Sequence, residues 1–270
     1  MKEISIISAN LFNDNYSKKF WNQYKDIDLL CFQEYPKYKM QINGYKLYYN
    51  FLSHGKKENI AIHINKKSKW KIISHQIIHD ESDLTKRLNL IIQCKHILSY
   101  KIINIGIVHL CGGCIDDAFA MEINDLEKLK HYKINVLKKM IGVDIILGDF
   151  NSDELSWKSN DDEMTKTKKY LLQHNGATKE KVNLWTNAPF YYLKGLESLP
   201  KHKLFKSFIR RNNFYKSIFF HDKFTTSVYD NRPDGIWILE KHKYSVRQLV
   251  DLISDEISDH NGLLATITFN

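Results

Sequence analysis

Residues 143–154, VDIILGDFNSDE, end an apolar run with a carboxylate and a carboxamide two positions apart, Asp149 and Asn151. In a β-strand, side chains at i and i+2 share a face. The two would therefore point the same way if the extended backbone continues past Gly148. A carboxylate at that place can take a proton from water or hold a cation, and a neutral amide can donate hydrogen bonds to an anion without repelling it. Open α/β sheets place much of their chemistry at such strand ends. Gly, Asp, Asn and Ser are also ordinary loop residues, so the box alone reads equally well as a turn.

Other strand borders carry groups of the same kind. The first apolar run stops at Asn10, a second at Glu34 in DLLCFQE, and a third at His109 in KIINIGIVHL. RPDGIWI sets Asp234 at the entrance of a strand, and Ser258-Asp259-His260 precedes the last one. Each taken singly is a cap or a turn residue; six polar borders together form a candidate constellation.

Their order, spacing and local context resemble the endonuclease/exonuclease/phosphatase superfamily. That fold is shared by deoxyribonuclease I-like nucleases, abasic-site endonucleases, tyrosyl-DNA phosphodiesterases, sphingomyelinases, deadenylases and inositol-phosphate phosphatases. The resemblance runs from Asn10 to His260, with GDFN and SDH as its specific pieces. SDHNGLLATI leans slightly toward the tyrosyl-DNA phosphodiesterase and abasic-endonuclease side. The resemblance implies a four-layer α/β sandwich, with two mostly antiparallel β-sheets face to face and helices outside.

It also implies hydrolysis of phosphoesters with Mg²⁺ or Mn²⁺. Such a cation neutralises phosphate and lowers the pKa of a water, and Mg²⁺ needs only one or two carboxylates. On this reading Glu34 is a metal ligand, with Asn10 and Asp259 as neighbours that act directly or through water. Asp149 orients or deprotonates the attacking water, and Asn151 donates to a phosphate oxygen. His260 contacts the phosphate and is held by Asp234; a carboxylate partner favours the imidazolium. His109 stands where several branches use a second histidine for phosphate or leaving group, although a buried structural histidine would look the same in sequence. Arg87 opens a strand and is either a phosphate contact or a surface arginine, and Arg210 and Arg211 are candidate substrate contacts. Where the family often has arginine or another polar group after HL, this chain has CGGCIDD, which leaves the leaving-group contacts unassigned.

The elements that must position these residues are mostly strands. Alternating or continuous apolar runs predict strands at 3–9, 28–34, 45–50, 59–64, 70–78, 88–97, 101–110, 143–148, 235–240 and 263–269. Such a mixture fits two packed sheets, some of whose strands are covered on both faces. Helices are predicted at 17–24, 117–141, 161–174 and, on a weaker pattern, 202–213. In the longest, Phe119, Ile123, Leu126, Leu129, Ile134, Leu137 and Ile141 mark the apolar face. No repeat or linker appears, so residues 1–270 read as one domain with an elaborated connection at about 178–232.

That connection concentrates the charge. Residues 179–232 hold eleven Lys and Arg against four acids, a net +7 within a chain of +9, and interleave twelve aromatic residues with them. Basic side chains among aromatic ones suit a polyanion that also offers bases to stack on, so nucleic acid is the expected partner. The same residues could instead grip a membrane surface, as a sphingomyelinase-like or inositol-phosphate enzyme would require, or serve a binding module without catalysis. No apolar stretch approaches the roughly 20 residues of a membrane helix. The start, MKEISIISANLF, is too short and polar for a signal peptide, and the expectation is a soluble intracellular protein. Four cysteines are too sparse for a disulfide scaffold. Cys111 and Cys114 form a CxxC after His109, but there is no second pair for zinc and no thioredoxin-like context, so they receive no role.

Overall fold

In the computed structural model, residues 2–11, 18–35, 40–52, 59–78, 87–110, 126–151, 215–217, 234–239, 241–250, 258 and 260–269 are described. In chain order they form β1 (Lys2–Asn10), α1 (Lys18–Trp21) with a 3₁₀ turn (Asn22–Tyr24), β2 (Leu29–Gln33), β3 (Tyr45–Leu52) and β4 (Asn59–Asn65). There follow β5 (Trp70–Ile78), β6 (Asn89–His96), β7 (Ile102–His109), α2 (Leu126–Lys139) and β8 (Ile145–Asp149). The last are β9 (Tyr215–Ser217), β10 (Asp234–Leu239), β11 (Lys243–Val250) and β12 (Gly262–Phe269).

The strands make two six-stranded sheets, ordered β11-β12-β1-β2-β4-β3 and β5-β6-β7-β8-β10-β9. Neighbours are antiparallel except for β1 with β2 and β7 with β8. A parallel pair cannot be closed by a hairpin and needs a crossover. α1 lies in the connection from β1 to β2, and α2 in that from β7 to β8.

Strand alternation produces the layers. Ile4 and Ile6 of β1 and Leu29 and Cys31 of β2 face the second sheet, where they meet Ile92, Ile105, Ile107, Ile145 and Leu147 in one buried core. Ile7, Ala9, Leu30 and Phe32 face outward and are covered by Phe20 and Trp21 of α1. On the other side, Val108 and Ile146 pack under Val136 and Leu137 of α2 and Met140 just beyond it. Fully burying an aliphatic side chain of this size contributes about 1.5–3 kcal/mol, so the inter-sheet core dominates the cohesion of the described fold. The predicted four-layer sandwich is the observed one.

All ten predicted strands are present, with ends shifted by up to two residues. Two others escaped the sequence pattern. β9 is three residues long, and β11 carries a bulge between Val246 and Gln248 that breaks its alternation. The predicted helix at 17–24 appears as α1 and the 3₁₀ turn; of the predicted 117–141, residues 117–125 lie outside the described residues and α2 covers 126–139. Of the predicted apolar face, Leu137 is buried and Ile134 packs on the same core, while Ile141, past the helix end, is 54% exposed; Lys133, Val136 and Met140 are also buried. The predicted helices at 161–174 and 202–213 lie outside the described residues, as does the basic 178–232 segment apart from β9, which edges the second sheet beside β10.

Candidate active site

The two parallel pairs deliver the constellation. β1 and β2 end together, so Asn10 and Gln33 are register partners and Glu34 follows at the tip. β7 and β8 also end together, with His109 beside Asp149. β10 runs the other way, so its first residue, Asp234, is the register partner of Asp149. The last strand, antiparallel to β1, starts at the same end, just after His260.

Contacts across the sheets join these tips. Asn10 Nδ2 donates to Glu34 Oε1 and to Asp149 Oδ2, both at 3.1 Å, so one amide bridges two carboxylates on different sheets. His109 Nε2 lies 3.4 Å from Glu34 Oε1 and 3.8 Å from Asp149 Oδ2. Ser258 Oγ donates to the main-chain oxygen of Asn10 at 2.9 Å and accepts the His260 amide at 3.0 Å, which ties the SDH loop to the end of β1. His260 Nδ1 is 2.8 Å from Asp234 Oδ2. One ligating atom from each of Asp149, Asp234 and His260 lies within 4.8 Å of the others.

Asp149 and Asn151 meet as expected, by a different route. The backbone does not stay extended: Asn151 takes a left-handed φ of 45°. This turn brings its amide N–H to 2.7 Å from Asp149 Oδ1 and its side-chain amide to 3.0 Å from Asp149 Oδ2. The box is thus a strand end and a turn at once. Gly148 lies within β8, not at its close, with φ 128°. A Cβ there would sit 2.0 Å from the Val108 carbonyl oxygen, so only glycine lets β7 and β8 come this close.

Glu34 also has a left-handed φ, 49°, which turns its side chain out of β2 and leaves it 17% exposed. Burial pushes its carboxyl up, but the hydrogen bond and charge of His109, the charge of Arg87 and the amide of Asn10 outweigh burial and hold it at about 2. The carboxylate stays ionised across the neutral range. Arg87 is buried, so it is no surface arginine; its Nη1 donates to His109 Nε2 and, at 3.1 Å, to the Leu110 oxygen. Arginine only donates, so Nε2 accepts from it when unprotonated and faces the carboxylates as a donor when protonated. His109 has a partner for either proton placement.

Three contributors were not singled out from sequence. Asn89 Oδ1 accepts the His109 amide at 2.8 Å and fixes the end of β7. In sequence it is only a polar residue opening an apolar run. Ser258 was read as part of SDH without its tie to β1. Lys133 is buried on α2 and its Nζ donates to the Asn151 main-chain oxygen; its one sequence signal is a lysine on the face that α2 buries. Asp259, Arg210, Arg211, Cys111 and Cys114 lie outside the described residues.

The donor set fits a hard divalent cation. Carboxylate oxygens of Asp149 and Asp234 converge with the His260 imidazole; Glu34, expected from sequence to be the ligand, stands outside that group and joins Asp149 through the Asn10 amide. Asn10 uses its nitrogen in the contacts above, and a cation would take its oxygen.

No family model and no curated protein matches the chain in sequence. Solved structures match its fold along nearly the whole length. The human Nocturnin catalytic domain with bound sulfate shares 14% identity over 99% of this chain and 95% of that one, at a TM-score of 0.58. The inositol polyphosphate 5-phosphatase domain of a synaptojanin, in complex with inositol (1,4)-bisphosphate and calcium ion, shares 15% over 98% and 84%, at 0.55. D. rerio TDP2 complexed with single-strand DNA product shares 14% over all of both chains, at 0.54. Two packed sheets with their polar residues gathered at one edge, and these likenesses across the full length, give this chain the fold of the endonuclease/exonuclease/phosphatase superfamily, the deoxyribonuclease I-like sandwich.

Proposed function

We propose that the chain is a Mg²⁺- or Mn²⁺-dependent phosphodiesterase acting on nucleic acid, as a nuclease or DNA-end-processing enzyme. The observation that carries this is the Asn10 bridge: it gathers Glu34 and Asp149 from two sheets beside the Asp234–His260 pair. Glu34 would hold the cation, with Asn10 and Asp259 beside it; bound there, the cation neutralises phosphate and acidifies a water. Asp149 orients or deprotonates the attacking water, and the Asn151 amide would exchange its hydrogen bond to Asp149 Oδ2 for one to a non-bridging oxygen. His260, oriented by Asp234, meets the phosphate, and His109 contacts the phosphate or protonates the leaving oxygen. Arg87 adds positive charge behind His109. Arg210 and Arg211, with the other basic and aromatic residues of 178–232, would carry the strand, since nucleic acid rewards both charge and stacking.

The likeness to a protein bound to a DNA product supports this substrate class. The likeness to an inositol phosphatase domain supports a second reading, hydrolysis of inositol-phosphate or lipid head groups at the same residues. Residues 1–270 are proposed as one functional unit. No described helix is long and apolar enough to cross a membrane, and the described cysteines, Cys31 and Cys94, are free and buried.

The test is cleavage of end-labelled single-stranded, duplex, abasic and 5′-tyrosyl oligonucleotides in Mg²⁺ and in EDTA, beside Asp149→Asn. Cation-dependent cleavage lost in the variant is the expected result, and the product ends name the branch. Turnover of phosphoinositides or sphingomyelin alone would select the second reading. Salt-sensitive oligonucleotide binding without any turnover would leave a binding module.

A further inference from the structure

Helix α2 buries Val136 and Leu137 against the second sheet, and Lys133 stands on the same face, one turn earlier. It is only 1% exposed. A buried ammonium is costly unless it is paired. The ammonium does have a target. It donates to the main-chain oxygen of Asn151, the residue whose left-handed backbone folds the end of β8 back on itself. A left-handed conformation is unfavourable for any residue with a side chain, though asparagine tolerates it better than most. The turn is gripped at several points. The Asn151 N–H and side-chain amide both reach Asp149, the side-chain amide also donates to the Leu110 oxygen at 3.0 Å, and Lys133 holds the carbonyl from behind.

We infer that Lys133 is a positioning residue: its ammonium locks the Asn151 peptide in the left-handed turn, and so holds the Asn151 side-chain amide beside the Asp149 carboxylate without touching substrate. The inference rests on the phosphodiesterase reading for its catalytic consequence, and on the Lys133–Asn151 contact for its structural one. The acceptor is a neutral carbonyl, so the ammonium holds it through a charge-assisted hydrogen bond rather than an ion pair.

A double-mutant cycle tests this with bis(4-nitrophenyl) phosphate and Mg²⁺ as the probe. Lys133→Met should lower kcat by about 10- to 100-fold, the scale of a misplaced catalytic group, while KM moves less than about threefold. Lys133→Gln, which keeps a donor and loses the charge, should recover most of the rate. In an Asn151→Ala background, which keeps the main-chain oxygen but removes the amide that the turn positions, Lys133→Met should cost less than about threefold more. Equal losses in both backgrounds, or an unchanged kcat in folded Lys133→Met, would overturn the inference. Should Lys133→Met fail to fold, Lys133→Ser, too short to reach the Asn151 oxygen, runs the same cycle. If the wild-type protein hydrolyses no phosphodiester, the functional reading fails and amide hydrogen exchange decides the structural half. Loss of the ammonium should then speed exchange at Asn151 by about tenfold or more and leave Ile146 protected; unchanged exchange at Asn151 would overturn it.

Discussion

Glu34 carries a negative charge that its surroundings are built to keep. A carboxyl so little exposed would ordinarily resist ionisation, yet the neighbouring histidine, arginine and amide hold it at about 2. Such a group is ready for a cation at any neutral pH. Glu34→Gln keeps the shape and removes the charge; it should weaken Mn²⁺ binding by at least about tenfold in a direct titration, with the thermal melt little changed. The Asp234–His260 contact works at one remove, since the carboxylate sets the ring's orientation. Asp234→Asn should therefore lower kcat by about 10- to 100-fold and leave cation affinity nearly intact. An equal loss of cation affinity would instead make Asp234 a ligand, as its closeness to Asp149 permits.

At the scale of elements, the site depends on how closely β7 and β8 approach. Val108 and Gly148 are register partners, and the space a Cβ would need at Gly148 is filled by the Val108 backbone, which cannot swing aside as a flexible side chain could. Gly148→Ala combines that overlap with a φ that side chains avoid. It should cost on the order of 3 kcal/mol or more in urea unfolding. The same change should displace His109 and Asp149, so residual folded protein should also be slow. Gly106, by contrast, would meet first the sulfur of Met140, the end of a flexible side chain, and Gly106→Ala should be much milder.

At the scale of the whole molecule, the outer layers stiffen the sheets, and a buried histidine makes one of them sensitive to acid. His63 of β4 packs against Phe32 and Tyr35, with the Tyr35 hydroxyl 3.0 Å from its Nε2. Burial lowers its pKa from 6.5 to about 4. Between those values the unfolded chain binds a proton that the folded chain refuses. Its contribution to stability is therefore full above about pH 6.5, and declines as pH falls through that window to about 4. Between pH 7.5 and 5 the wild-type protein should lose roughly 2 kcal/mol more stability than His63→Gln, compared by urea unfolding at each pH. Equal losses would mean that His63 is protonated in the fold.

Strand-by-strand alternation, the polar residue at each strand border and the GDFN and SDH boxes were legible in sequence, because each depends on local spacing alone. That sufficed for the sandwich and for the identity of most residues at its edge. Local spacing carried no information on how they meet. The Asn10 bridge spans 139 positions to Asp149, and the Ser258 tie spans 248 to Asn10; such contacts exist only once two parallel crossovers have brought four strand ends to one side. The left-handed turns at Glu34 and Asn151 were equally hidden, since no glycine announces them. In sequence Arg87 read as either a phosphate contact or a surface arginine, and nothing singled out Lys133; burial and a waiting acceptor, which only tertiary packing supplies, set both apart.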